Sequence, residues 1–214
     1  MPDGALPFRR APHRHASKES EVLGVSLAKG QNVVLSQDGT PLADVTVGLG
    51  WDADTGGGVD FDLDASAIIC GPDHKVVSDE HFVFYNNLSS PDGAVQHTGD
   101  NVTGEGEGDD EQILIDLDRL DEKTGQIVFA VSIHDAQNRG QNFGQVEEAY
   151  IRVVDNITGR EMCRYELSYD AAGETAMIFG ALYRRGGEWK FRAIGQGYAS
   201  GLAGIAVDYG VDVT

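Results

Sequence analysis

Six carboxylates crowd the stretch from Gly99 to Glu111: Asp100, Glu105, Glu107, Asp109, Asp110 and Glu111, with no basic residue among them. The glycines Gly99, Gly104, Gly106 and Gly108 interrupt the same stretch. Such a segment predicts irregular backbone with little apolar surface to bury. Like charges this close repel one another unless something positive sits between them. The candidates are a hard metal ion, a basic partner, or water and salt. The next residues, Gln112 to Leu117, read as a strand. An acidic, glycine-rich loop pinned to a strand suits a ligand cradle better than a tail.

A second acidic segment lies upstream, at Asp60-Phe61-Asp62-Leu63-Asp64-Ala65 and on to Ile69. Strand side chains alternate, so Asp60, Asp62 and Asp64 share one face, and Phe61, Leu63 and Ala65 share the other. Neighbours on the acidic face are roughly 7 Å apart. Oxygen ligands of this hardness select calcium or magnesium over zinc or copper. An EF-hand loop does not fit. With Asp60 as the first position, Ala65 stands where the loop needs glycine, and Gly71 stands where it needs glutamate. An ion here would be held from strand ends and loops.

The surrounding chain must bring these two segments together. Its 214 residues suit one folded domain, and a hydrophobic content of 41% supports a real core. The formal charge of −19 is local: from Asp52 to Glu122, nineteen acids stand against Lys75 and Arg119. That field argues against nucleic-acid binding, because phosphates would be repelled. It also argues against a bare anionic membrane, unless bound metal reverses the local sign. No apolar run reaches the roughly 20 residues a membrane span needs. Residues 1–21 contain Arg9, Arg10, Arg14 and Lys18 with no apolar segment after them, so a disordered basic extension is expected, not a signal peptide. Residues 22–214 form the expected domain. Cys70 and Cys163 lie in apolar, strand-like surroundings and are expected to be buried free thiols, which fits a reducing cytoplasm.

Short apolar runs separated by turn residues recur at roughly 8–12-residue spacing, the pattern of an antiparallel β-sandwich. Val45 to Trp51 and Asp60 to Ile69 read as a hairpin-like pair with an acidic connection. His81 to Asn87 reads as a strand, and Ile127 to His134 as a central strand covered on both faces. Phe143 to Glu148 and Gly201 to Tyr209 read as short peripheral helices. The clearest hairpin runs from Ala176 to Tyr183 and back from Glu188 to Ile194. The expected architecture is therefore all-β, with small helices outside and the acidic loops at one end.

Several of these segments, in this order, resemble the TerD family of bacterial tellurium-resistance and general-stress proteins. They are Val25-Ser26-Leu27-Ala28-Lys29-Gly30, Gly48-Leu49-Gly50-Trp51-Asp52, Asp60 to Ser66, Phe84-Tyr85-Asn86-Asn87, Ser90-Pro91-Asp92-Gly93, the Gly99 to Glu111 loop and Gly195-Gln196-Gly197-Tyr198. The likeness covers about Val22 to Val211. It implies a calcium-binding β-sandwich with two neighbouring Ca2+ ions held by these acidic loops. It also implies a cytoplasmic role in stress resistance, with other stress-resistance proteins as partners in a complex at the inner membrane face and no insertion into the bilayer. Glu107 stands where the family commonly has Asp, and the basic extension has no counterpart.

The expected ligand set is Asp52, Asp60, Asp62, Asp64, Asp100, Asn101, Asp109, Asp110 and Glu111. Asp100 and Asn101 could instead cap the loop as Asx turns. Glu105 and Glu107 are expected to be solvated, and Asn86 and Asn87 to hold a loop by hydrogen bonds. The reading is a calcium-binding module acting through metal-dependent partner contacts, not catalysis. The alternative is a metal-dependent phosphoester hydrolase using Asp62 and Glu111. No nucleophile elbow, P-loop, His-Glu-x-x-His or Cys-x-x-Cys occurs, and nothing supplies a basic phosphate cradle.

Overall fold

A computed structural model describes residues 24–51, 61–99, 108–146, 148–167 and 173–213. The expected basic extension lies outside these residues, as do the candidate ligands Asp52, Asp60, Asp100 and Asn101. In chain order the strands are β1 (Val25–Leu27), β2 (Asn32–Val34), β3 (Ser36–Gln37), β4 (Thr40–Pro41), β5 (Asp44–Gly50), β6 (Leu63–Cys70) and β7 (Phe82–Val83). They continue with β8 (Val95–His97), β9 (Glu111–Asp116), β10 (Gln126–Ile133), β11 (Tyr150–Asp155), β12 (Glu161–Glu166), β13 (Ala176–Arg185) and β14 (Glu188–Tyr198). The α-helices are α1 (Ala136–Arg139) and α2 (Gly201–Tyr209).

Two six-stranded sheets face each other, in the orders β1-β12-β11-β5-β9-β8 and β2-β14-β13-β10-β6-β7; β3 and β4 pair as a separate ribbon. The pairings are antiparallel except β1 with β12, which is parallel. We call the sheets the β5 sheet and the β6 sheet. Inward residues from both, among them Val47, Leu49, Leu63, Ile113, Phe129 and Phe179, form one core. Burial of this apolar surface is the main force holding the sheets together. A second cluster lies outside the β6 sheet, where Ile205 and Ala206 of α2 cover Ile68, Val128 and Ile178. The central strand β10 therefore has both faces buried, as its unbroken apolar run predicted. Among the described residues, no helix is long and apolar enough to cross a membrane.

Three expectations change. The strands β5 and β6 do not form a hairpin. They lie in different sheets, β5 between β11 and β9, and β6 between β10 and β7. Each is a buried strand whose ladder is filled by partners far along the chain, and nearness in sequence gives no advantage over that. Second, His81 to Asn87 is not one strand. Only Phe82 and Val83 pair with β6, preceded by a 3-10 turn at Asp79–His81. Phe84 and Asn87 then bond each other's backbone, and the Asn87 amide donates to the carbonyls of Phe82 (2.7 Å) and Glu80 (3.1 Å). Third, Phe143–Gln145 is a single 3-10 turn, closed by a reciprocal cap between Asn142 and Gln145.

Candidate metal centre

Trp51 is where the acidic segments meet. It follows β5 directly, ahead of the acidic run that begins at Asp52. Its backbone N–H donates to Asp110 Oδ2 at 3.0 Å. Its buried indole N–H donates to the Phe61 carbonyl at 3.2 Å. The residues after β5, before β6 and before β9 are thus gathered at one end of the sandwich. The register supports this: Leu49 of β5 sits opposite Glu111 of β9, and the Asp110 N–H donates to the Leu49 carbonyl at 2.8 Å. The glycine-rich loop leaves at Gly99 (φ 121°) and returns at Gly108 (φ 111°), both in backbone regions that favour glycine.

The three consecutive acids then separate, because Glu111 opens a strand and strand neighbours alternate. Glu111 points inward with Ile113 and Ile115 and is only 1% exposed. Its carboxylate accepts from the Ala65 N–H of β6 at 2.5 Å. His97 of β8 reaches the same residue: its Nε2 lies 3.2 Å from the Ala65 carbonyl and 3.5 Å from Glu111 Oε2. A carbonyl can only accept, so Nε2 carries a proton. The Gly99 N–H donates to His97 Nδ1 at 3.1 Å, so Nδ1 carries none. The ring is therefore the neutral Nε2–H tautomer, and its contact with Glu111 is a polar contact, not an ion pair. Both backbone groups of Ala65 are thus engaged by side chains from the opposite sheet.

Asp110 stays at the rim with Trp51. Burial and the neighbouring Asp109 charge hold its carboxyl above the ordinary range, opposed by the Trp51 N–H bond. Asp109 turns the other way, onto the outer face of the β5 sheet. The Arg152 guanidinium takes both of its oxygens, Nε to Oδ1 at 2.7 Å and Nη2 to Oδ2 at 3.1 Å. The positive charge expected beside Asp109 is therefore supplied by the chain itself. No sequence signal links Arg152 to Asp109, because the contact spans 43 residues. His97 and Trp51 were equally hidden: their roles depend on which strands face each other.

On β6, the alternation holds for the described residues. Phe61, Leu63 and Ala65 belong to the core. Asp62 and Asp64 are in the opposite phase and lie on the far side of the strand from the Glu111 contact. Arg139 Nη2 is 4.0 Å from Asp62 Oδ2, and His134 Nδ1 is 3.7 Å from Asp64 Oδ2. Asp64, Ser132 and His134 help line an open hollow of about 460 Å3 beside the start of α2.

Among the described residues, no three His, Cys, Asp or Glu side chains gather as a metal-holding group. The donor chemistry nevertheless fits a hard cation. The acids near Trp51 and at the start of β6 offer oxygen, and the two thiols are elsewhere. Cys70 ends β6 and Cys163 lies in β12; both are buried, and burial pushes each thiol up to about 12. Such thiols stay protonated and shielded. A thiol-reactive dye at pH 8 should therefore label fewer than one cysteine per native chain, and two in denaturant. Rapid labelling of the native protein would contradict this placement.

Comparison with known proteins matches residues 23–209 to the TerD domain model. The tellurium resistance protein TerD of Serratia marcescens is 55% identical over 192 residues, covering 90% of this chain and all of that protein. General stress protein 16U of Bacillus subtilis is 50% identical over 190 residues, covering 88% of this chain and 98% of that one. A crystal structure of a telluride resistance protein (TerD) homologue from Streptomyces coelicolor A3(2) superposes with a TM-score of 0.63 at 28% identity, covering 77% of this chain and 95% of that one.

Proposed function

This chain belongs to the TerD domain family, and from that membership we propose that it is a calcium-binding stress-response module. The relatives' names, tellurium resistance protein and general stress protein, support the stress role. The carrying observation for the ion is the gathering of acidic segments around Trp51. Asp110 bonds its N–H, Phe61 accepts from its indole, and Asp62 follows Phe61 directly. Acidic segments joined at one end of a fold repel one another unless a cation offsets them. Asp62, Asp64 and Asp110 would contribute oxygens, with Asp52, Asp60, Asp100 and Asn101 as the further expected donors. Bound calcium supplies counter-charge and order to this end of the sandwich.

In this reading the protein acts by presenting a metal-dependent surface to other stress-resistance proteins, and it works in the cytoplasm without catalysis. Residues 52–122 are strongly negative, so ion loading changes the sign or size of the local field a partner meets. Isothermal calorimetry on chelator-stripped protein tests the ion. Calcium should give saturable heat, stronger than magnesium, because a loop-built site of many carboxylates suits the larger and less demanding ion. A flat calcium titration would remove the ion from the proposal and leave the stress role resting on family membership.

A further inference from the structure

The outer face of the β5 sheet carries a built arrangement that the ion reading leaves without a purpose. Arg152 holds Asp109 through a two-pronged contact and also reaches Glu161 Oε2 at 3.3 Å with Nη1. Beside it, the Tyr150 hydroxyl lies 2.9 Å from the Gly108 carbonyl and 3.2 Å from Asp109 Oδ1. The Arg164 guanidinium packs over the Tyr150 ring, 3.4 Å from its centroid. Room for this comes from two glycines on the same face of β5. A Cβ on Gly48 would fall on the Asp109 carboxylate, and one on Gly50 would fall on the Tyr150 ring. The Asp109 side chain is only 1% exposed.

We propose that Arg152 and Tyr150 are positioning residues for the ion site: they seat Gly108 and Asp109 on the β5 sheet and so fix the direction in which Asp110 is presented. This rests on the calcium reading above. Asp109 is then a fastening point and not an ion ligand. A planar guanidinium holding a carboxylate by two parallel bonds fixes orientation as well as distance. Tyr150 holds the preceding peptide, so two successive residues are fastened. A ligand segment held in place before binding loses less conformational freedom when the ion arrives.

The sign of the effect separates this role from simple electrostatics. Arg152 is a cation close to the acids. If only its charge mattered, removing it would tighten calcium binding, by lowering repulsion and freeing Asp109. Positioning requires the opposite. Calcium dissociation constants should be measured by calorimetry on the full chain for the wild type, Arg152→Met, Arg152→Lys, Tyr150→Phe, Asp109→Asn and the Arg152→Met/Asp109→Asn pair. Near-ultraviolet circular dichroism in chelator checks that each remains folded. Arg152→Met should weaken binding at least tenfold. Arg152→Lys keeps the charge but loses the fork, and should also weaken binding severalfold. Tyr150→Phe, the mildest change, should weaken it two- to fivefold and serves if Arg152→Met does not fold. Asp109→Asn should add little to Arg152→Met. Unchanged or tighter binding in Arg152→Lys and Tyr150→Phe overturns the inference while leaving calcium binding intact. So does a further large loss when Asp109→Asn is added to Arg152→Met, which would make Asp109 a ligand. A wild type that binds no calcium overturns this inference and the reading beneath it together.

Discussion

Adding calcium to chelator-stripped protein is expected to raise its melting temperature by about 5–10 °C. An ion present at about 100 times its dissociation constant stabilises the native state by about 2.7 kcal/mol, provided the unfolded chain does not bind it. For a domain of this size, each kcal/mol moves the midpoint by about 2–4 °C. The unfolded chain should bind weakly, because the acids before β6 and before β9 are distant in sequence and folding brings the two segments together at Trp51. Asp64→Asn should remove much of the calcium-dependent rise while changing the midpoint in chelator far less. Differential scanning calorimetry in chelator and in millimolar calcium measures both. Coincident melting curves for the wild type would mean that the acids are tolerated without a bound ion.

Glu111→Ala should cost about 2–4 kcal/mol, and it should cost nearly as much in chelator as in calcium. The carboxylate is buried and accepts the Ala65 N–H across the two sheets. Removing it strands a buried donor, worth about 1–3 kcal/mol. It also opens a void beside His97, whose truncation cost adds to this. The melting temperature should fall by roughly 5–15 °C at either calcium level. Glu111→Gln should lose less, since the amide oxygen can still accept from Ala65. The comparison decides what Glu111 does. A loss confined to calcium-loaded protein would make it chiefly an ion ligand, as the sequence suggested. An equal loss without calcium would make it the tie between sheets that its geometry describes.

Much of the secondary structure was legible because local pattern carries it. The stretch from Gln112 reads as a strand and emerges as β9, and the apolar run from Ile127 emerges within β10. The hairpin of β13 and β14 is marked by Gly186 and Gly187, both at positive φ. The expected pairing of β5 with β6 failed for a related reason. Pattern identifies a strand and its buried face, but it does not name the strand beside it. The 3-10 turn at Asp79–His81 and the turn closed between Phe84 and Asn87 were hidden by an aromatic run that reads as strand.

The sequence alone determined the all-β class, the family, and the alternation that sets Asp62 and Asp64 apart from Phe61, Leu63 and Ala65, because each rests on order and spacing along one segment. The tertiary structure decided how the acids are used. It turned three consecutive carboxylates in three directions: Asp109 to Arg152, Asp110 to the Trp51 backbone, and Glu111 to Ala65. Arg152 lies on β11, Trp51 directly follows β5, and Ala65 belongs to the opposite sheet. A carboxylate's chemistry is set by the donors, charges and water around it, and only the packing of the two sheets brings those to it.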